Sequence, residues 1–270
     1  RMGPPGQQQA EQTSDKGQLM DTQASYAIPL ALGMFNDENK PFAIRYLNEA
    51  IQRKNKDDGG IERPEYSLMT GFIGTASIAD ALSDNGNHNM AYRLLQQKTY
   101  PSWLYSVVNG ATSIWERLNS YTVENGFGGN NSMNSFNHYS FGAVASWMYN
   151  YSLGIQRHPD KAAFKAFVLK PTPDPDKRIT FAKGYVDTMY GRIASEWRLV
   201  TGGLETGKTQ FSYQCTVPAN TTATLHLPAK SLNQITESGK SIAQWKGAKL
   251  ENGEVVLPLT SGSYVFEVKE

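Results

Sequence analysis

The sequence lacks most of the features that assign a chain quickly to a class. Cys215 is the only cysteine, so a disulfide within the chain and a cysteine-based metal cluster are excluded, and the cellular compartment stays open. No apolar run reaches the roughly 18 residues of a membrane-spanning helix. The 26 basic and 25 acidic residues balance, which gives no electrostatic reason to expect nucleic acid as a partner. Three of the four histidines are scattered without metal-ligand spacing, so we predict no metal or cofactor: His88, His158 and His226.

The polar start of the chain, residues 1–20, has no apolar stretch like that of a signal peptide. It contains Pro-Pro-Gly and Gln-Gln-Gln runs and does not resemble a purification tag. We interpret it as a loop or as the cut end of a longer polypeptide. The rest of the sequence divides into two regions with different hydrophobic periodicity. We predict them as separate domains, 21–157 and 158–270.

The first of these regions has the 3.6-residue periodicity of amphipathic helices. Pro29 should kink the first helix, because proline lacks the amide hydrogen that a helix interior needs. Several of the segments are apolar on more than one face, which indicates a multi-helix assembly rather than a small bundle. We predict six helices: about 22–35, from Pro41 to about Ala50, about 70–82, about 90–97, a short one starting at Thr112 or Ser113, and about 135–153.

The second region has the period-2 alternation of strands, separated by Pro, Gly and Asn turn signals. Many short strands with such turns are typical of an antiparallel β-sandwich. The predicted strands are 164–169, 184–189, 193–200, 209–216, 222–227, 254–257 and 263–268. The fold class we predict is therefore α then β, with no internal repeat.

One stretch, residues 100–142, gathers aromatic and short polar side chains around a single embedded carboxylate, Glu116. Trp115 could raise the pKa of that carboxyl group and Arg117 could lower it, as suits a general acid or base. The spacing Ser113-Ile-Trp-Glu116 is also that of a capping box, in which Glu116 would bond the backbone of Ser113. From the pattern alone, the capping interpretation is favoured.

Three other side chains of this stretch are candidates for binding a sugar. Trp103 and Trp115 could stack on a sugar face, although most tryptophans simply pack. His138, beside Asn137, could hydrogen-bond a substrate hydroxyl, and a core or capping histidine is at least as common.

At these motifs the sequence resembles the family-78 glycoside hydrolases, the bacterial-type α-L-rhamnosidases. The resemblance runs in the correct order through nearly all of residues 20–270, which makes it stronger than any one motif. The matching stretches include Thr22-Gln-Ala-Ser-Tyr-Ala27, Gly71-Phe-Ile-Gly-Thr75, Tyr100-Pro-Ser-Trp103, Gly110-Ala-Thr-Ser-Ile-Trp-Glu-Arg117, Asn134-Ser-Phe-Asn-His-Tyr139 and Tyr190-Gly-Arg-Ile-Ala-Ser-Glu-Trp197.

The resemblance implies half of an (α/α)6 barrel followed by the family's C-terminal β-sandwich. It implies removal of terminal α-L-rhamnose with inversion, in which two carboxyl groups about 6.5–9.5 Å apart leave room for a water. The family's glutamate in the Trp-Glu-Arg motif is the general base, which here is Glu116. The family's histidine in Asn-Ser-Phe-Asn-His-Tyr lines the rhamnose site, which here is His138. With the resemblance, the catalytic interpretation of Glu116 becomes the favoured one.

The sequence also departs from the family pattern. The family's general acid lies in a motif upstream of Thr22, and nothing in residues 1–21 resembles it. Asn119 follows Leu118 where the family usually has a Trp-Asp pair. We therefore expect a chain that carries the base half of the site and is inactive by itself, with the missing N-terminal part of the same enzyme as its partner. The alternatives are a non-catalytic carbohydrate-binding protein and a structural half-barrel that needs another chain segment.

Overall fold

The computed structural model describes residues 20–57, 59–128, 134–201 and 209–269. The predicted loop at residues 1–20 lies almost entirely outside these ranges. The part described begins with helices and continues with two β-sheets, so the predicted order of α followed by β is confirmed. The sheets begin with Ile155–Arg157, on the helical side of the predicted division at 157/158, and that division remains a prediction.

The first four helices lie close to their predicted positions. Thr22 and Ser25 form a reciprocal capping box at the start of the first, each hydroxyl accepting the other's backbone N–H. This helix ends at Ala31, short of the predicted Phe35, with Pro29 in its last turn. The four helices are α1 (Gln23–Ala31), α2 (Lys40–Gln52), α3 (Gly71–Asp84) and α4 (His88–Gln96). Between α2 and α3 lies a small hairpin, β1 (Asn55–Lys56) and β2 (Glu62–Arg63).

The predicted helix starting at Thr112 or Ser113 was wrong. The fifth helix, α5 (Trp103–Val108), lies earlier, because Ser102 is the N-cap: its hydroxyl accepts the N–H of Tyr105 at 3.1 Å. Gly110, with φ of +85°, follows the end of this helix. Residues 111–117 are an irregular loop, in which the Ser113 hydroxyl donates to the carbonyl of Phe136 instead of capping a helix.

The last helical segment is shorter than the predicted 135–153 and changes type along its length. A 3₁₀ turn (Ser140–Ala143) leads into α6 (Val144–Trp147), which continues as a π-helical turn (Met148–Ser152). Trp147 anchors this segment, since its ring is buried and its Nε1–H donates to the Ser83 hydroxyl at 2.7 Å. The helical core contains apolar residues of α1 to α4 together with Trp103, Phe141 and Trp147.

The sheets form a sandwich whose core takes side chains from both layers. Strand pairs are antiparallel except for β4 and β8, which are parallel. One sheet has the order β10-β9-β13-β7-β6-β5 and the other the order β11-β12-β8-β4-β3. The strands are β3 (Ile155–Arg157), β4 (Ala166–Leu169), β5 (Phe181–Thr188), β6 (Gly191–Thr201), β7 (Thr209–Val217), β8 (Thr222–Leu227), β9 (Ile235–Glu237), β10 (Lys240–Ser241), β11 (Lys249–Glu251), β12 (Glu254–Leu259) and β13 (Gly262–Val268).

Buried polar contacts join the helices to the sandwich. The Asp174 side chain is buried and accepts the Gln96 amide of α4 at 2.8 Å. Three backbone N–H groups of its own loop also donate to it, at 3.0 or 3.1 Å. On the other side of the junction, Trp197 Nε1–H donates to the carbonyl of Ser152 at 2.7 Å. Because these groups are paired out of water, the two regions meet at a defined geometry.

Candidate functional site

A cavity of about 530 Å³ opens beside the loop that carries Glu116. Its wall combines the turn before α3, the first residues of α3, the residues that precede α5 and the loop after Trp115. Aromatic, amide and carboxylate groups therefore face one space, as in pockets that bind small polar ligands. The lining residues are Asp57, Leu68, Met69, Thr70, Gly71, Phe72, Tyr100, Pro101, Glu116, Arg117, Leu118, Asn119 and Phe141.

Glu116 is held by the segment that also carries His138. Its backbone N–H donates to the carbonyl of Ser135 at 2.8 Å, and the Ser135 N–H donates to Glu116 Oε2 at 2.7 Å. The N–H of His138 donates to the carbonyl of Ile114 at 2.8 Å. The capping-box interpretation was therefore wrong, because the carboxylate bonds Ser135 rather than Ser113. Its second oxygen, Oε1, has no hydrogen-bond donor within the ranges that the structure describes.

His138 lies next to this cavity and stacks with two other rings. Its imidazole lies 5.0 Å from the ring of Phe72 and 5.4 Å from that of Tyr139, both nearly parallel to it. The N–H of Ser140 donates to His138 Nδ1 at 3.3 Å. In a neutral ring an accepting Nδ1 leaves the proton on Nε2, so Nε2 is the donor that remains.

Phe72 is a site residue that the sequence did not single out. Its ring lines the cavity, lies edge-on to Phe141 at 5.5 Å and carries His138 on its face. The side chain is 43% exposed, unlike the buried Ile78 and Leu82 further along α3. An aromatic residue directly after Gly71, at the first turn of a helix, was the available signal.

The two tryptophans predicted to stack on a sugar are buried in this chain. Trp115 is 9% exposed, and its ring is edge-on to those of Phe136 and Tyr121. Trp103 is 6% exposed, and its Nε1–H donates to the carbonyl of Phe141 at 2.8 Å. Neither belongs to the cavity wall. The structure thus brings Glu116, Phe72 and His138 together and places both tryptophans behind them.

A second carboxylate, Asp57, lies in the same wall, but its bonds suit it poorly to donating a proton. Its Oδ1 accepts the N–H groups of Gly59 and Ile61 at 3.0 and 2.9 Å, and its Oδ2 pairs with Arg63 at 2.6 Å. The Ile61 N–H and the Arg63 guanidinium lower the pKa of Asp57, because both stabilise the charged form. Asp57 is therefore an ionised structural group of the β1–β2 hairpin.

Two further features bear on the chemistry. Within the described ranges, no group of three or more His, Cys, Asp or Glu side chains is placed to hold a metal ion. The same residues include no helix that is both long and apolar enough to cross a membrane.

Comparison with known proteins gives two family matches that follow one another along the chain. The model described as the bacterial alpha-L-rhamnosidase 6 hairpin glycosidase domain matches residues 8–152, more than half of the chain. The model of the bacterial alpha-L-rhamnosidase C-terminal domain matches residues 154–241.

Individual relatives agree with these matches. A protein of Formosa agariphila named alpha-L-rhamnosidase is 34% identical over 251 residues, which cover 92% of this chain and 25% of that protein. The structure of Streptomyces avermitilis alpha-L-rhamnosidase complexed with L-rhamnose superimposes with a TM-score of 0.74 at 31% identity, over 92% of this chain and 22% of that one. The alpha-L-rhamnosidase from Dictyoglumus thermophilum gives the same TM-score at 28% identity, over 92% and 25%.

This chain thus spans about a quarter of the length of the relatives it matches. The two consecutive family matches nevertheless account for both regions of the fold, the helices and the sandwich that follows them. The chain belongs to the bacterial alpha-L-rhamnosidase family.

Proposed function

We propose that this chain supplies the general-base half of a glycoside hydrolase site that removes terminal α-L-rhamnose with inversion of configuration. The observation that carries the proposal is the placement of Glu116: its carboxylate lines the cavity, one oxygen accepts a backbone N–H, and the other has no donor among the residues that the structure describes. Family membership supports the substrate class, since relatives of similar sequence are named alpha-L-rhamnosidases.

The role of Glu116 follows from its two oxygens. The Ser135 N–H holds Oε2 and so fixes the direction of the carboxylate. Oε1 is then available to accept a proton from a water molecule between the carboxylate and the sugar. That water attacks the anomeric carbon from the face opposite the leaving group, which inverts the configuration.

The aromatic wall would hold the sugar. The exposed face of Phe72 can pack against the apolar face of a deoxy sugar such as rhamnose, and His138 Nε2–H can donate to a hydroxyl oxygen. We assign Trp103 and Trp115 a supporting role, because their buried rings hold the Phe141 carbonyl and the Glu116 loop in place. Asn119, in the same wall, can add an amide contact.

The general acid would come from another part of the polypeptide. Asp57, the other carboxylate of this wall, is held ionised and so is unsuited to protonating a leaving group. The helical region also exposes large apolar side chains that a full barrel would cover, among them Leu32, Met34, Ile73, Val107 and Val108. We propose that the missing N-terminal part of the same enzyme covers this face and brings the acid.

Substitution of the proposed base gives the direct test. Release of nitrophenol from p-nitrophenyl α-L-rhamnoside is measured on the longest polypeptide that includes these residues, with and without Glu116→Gln. Loss of the base should lower kcat by about 10²–10⁴-fold, since general-base catalysis contributes that much. Glu124→Gln, an exposed carboxylate outside the cavity wall, is the matched control and should keep full activity. Full activity in the Glu116 variant would refute the assignment.

Two further measurements separate this proposal from the alternatives. Proton NMR of the first sugar released should show the anomer opposite to that of the substrate if the reaction inverts. Calorimetry with L-rhamnose should show binding by the long polypeptide that His138→Ala weakens. Binding without turnover would favour a non-catalytic carbohydrate-binding protein, and neither binding nor turnover would favour a structural half-barrel.

A further inference from the structure

The outer face of the six-stranded sheet carries a shallow trough with no role in the site described above. The strand register places Tyr185 of β5 beside Ala194 of β6, then Thr216 of β7, then Ser263 of β13. Successive residues alternate between the sandwich core and this outer face, so the four side chains form one row across the sheet. Three of the four are small, which leaves a depression next to the tyrosine.

We call this depression the outer trough. The next row is formed by Lys183, Glu196, Gln214 and Val265, and together the rows enclose a cavity of about 510 Å³. Four strands span three spacings, so the trough is on the order of 14 Å long. Its lining residues are Lys183, Gly184, Tyr185, Arg192, Ala194, Ser195, Glu196, Gln214, Cys215, Thr216, Ser263, Tyr264 and Val265.

Tyr185 forms a rigid aromatic wall at one end of the outer trough. The guanidinium of Arg192 lies 3.6 Å from the centre of its ring, and Arg192 is itself held by two hydrogen bonds to Asp187. A cation held in this way fixes the ring and covers only one of its faces. The side chain is still 50% exposed, so the other face is accessible. Phe181 is arranged similarly at the edge of the sheet, with Arg198 at 5.2 Å.

The charges of this face are already paired with one another. Glu196 accepts from Lys183 at 3.0 Å and from Arg198 at 3.1 Å, and Asp187 pairs with Arg192. Among the residues that the structure describes, this face therefore has no unpaired patch of one sign to attract an ionic ligand. What remains for a ligand is an aromatic face, the exposed Gln214 amide, and the hydroxyl groups of Thr216 and Ser263, which bond each other at 3.3 Å and keep one donor and further acceptor capacity.

We propose that the outer trough binds a neutral polysaccharide chain. Sugar rings have an apolar face that packs on an aromatic ring and hydroxyl edges that bond amides and hydroxyls, which is the combination this face offers. A trough this long accepts more than one sugar ring, so a chain suits it better than a monosaccharide. The proposal is independent of the proposed hydrolase function, because it uses neither Glu116 nor the cavity beside it.

Native gels that contain a soluble polysaccharide test the proposal with the chain as it is. Migration is compared in gels with arabinogalactan, xyloglucan or galactomannan, and we expect retardation by at least one of them. Tyr185→Ala should weaken that binding by about tenfold, the factor that corresponds to one lost aromatic contact. Tyr185→Phe keeps the ring and should restore binding. Gln214→Ala should weaken it by a smaller factor.

Controls separate the trough from other causes of retardation. Met189→Ala changes an exposed apolar residue of the β5–β6 turn outside the trough and should leave retardation unchanged, as should Glu116→Gln. Circular dichroism melts show whether each variant folds. The proposal is overturned if none of the three neutral polysaccharides retards the protein, or if only heparin, a polyanion, does. Equal retardation of Tyr185→Ala and the unaltered chain would overturn it as well.

Discussion

The helical region and the sandwich differ in how completely they bury their apolar surface. The sandwich fills the space between its sheets with side chains from both layers, including the fully buried Trp197, Tyr213 and Phe266. The helical region exposes more large apolar side chains, among them Leu32, Met34, Phe42, Phe72, Ile73, Val107, Val108, Ile114, Phe127 and Tyr139. The sandwich thus buries most of its large apolar side chains within itself. The helical region leaves apolar surface exposed that another polypeptide segment could cover.

One carboxylate of each region, Asp80 and Glu254, shows a second difference. In the helical region, burial and the nearby charge of Asp84 raise the pKa of Asp80 to about 6. In the sandwich, contacts with His226 and Lys170 lower the pKa of Glu254. A buried carboxylate with partners stabilises the fold and one that is only desolvated destabilises it. These two carboxylates should therefore respond to a neutralising mutation and to pH in opposite directions.

The largest effect should follow from Trp197→Ala. The ring is fully buried and its Nε1–H donates to Ser152, so removing it leaves a cavity and an unpaired carbonyl at the junction. We expect a loss of about 3–5 kcal/mol in the free energy of unfolding, measured in urea. Trp245→Ala is the matched control. Because the Trp245 ring is only partly buried, its removal should lower the free energy of unfolding by less. Equal losses would show that the sandwich core is no more tightly packed than its rim.

The sequence predicted the sandwich well because each strand carries its own local signal. The predicted strand 222–227 coincides with β8 (Thr222–Leu227), and the other predicted strands overlap observed ones. The short strands β3 and β9 to β11 were missed, since two or three residues are too few to show an alternating pattern. The parallel pairing of β4 with β8 was also missed, because it joins residues far apart in the chain, and an alternating pattern specifies a face rather than a neighbour.

The candidate site was predicted less well because its geometry depends on contacts between loops. Ser102 and Ser113 are both serines ahead of apolar residues, and only the structure shows that Ser102 caps a helix. The pairing of Glu116 with Ser135 joins residues 19 positions apart, which no local spacing reveals. Trp103 and Trp115 were chosen as sugar-stacking candidates because of their residue type. Both are buried in the structure, and Phe72 is the exposed ring in the cavity wall. The role of Glu116 rests on the resemblance and on the cavity, and it stays a prediction.

An intermediate effect should follow from Asp80→Asn, with stability gained rather than lost. The pKa of Asp80 is raised in the folded state. Its carboxyl group therefore lowers the free energy of unfolding only at a pH above its ordinary pKa of 3.8, and most strongly above about 6. We expect the variant to gain about 2 kcal/mol in the free energy of unfolding near neutral pH. The gain should vanish below the ordinary Asp pKa, where both states are protonated.

Urea unfolding at a series of pH values measures this gain. Asp37→Asn removes an exposed carboxylate of the same region and is the control for the loss of one negative charge. A destabilised Asp80→Asn variant at neutral pH would mean that Asp80 has a stabilising partner. The contrast between Asp80 and Glu254 would then be wrong.

The smallest effect on stability should follow from Glu254→Gln. This variant should lose stability, in contrast to the gain expected for Asp80→Asn. The folded pKa of Glu254 is lowered by His226 and Lys170, so its stabilisation is present above the ordinary value of 4.5 and is lost as the pH falls through the folded pKa. Because the group is partly exposed, we expect a loss of only about 1 kcal/mol near neutral pH, shrinking as the solution is acidified. Glu251→Gln, at an exposed pair with Lys249, is the control and should change little. A loss that stayed constant down to acid pH would mean that the Glu254 side chain stabilises the sandwich by packing rather than by charge.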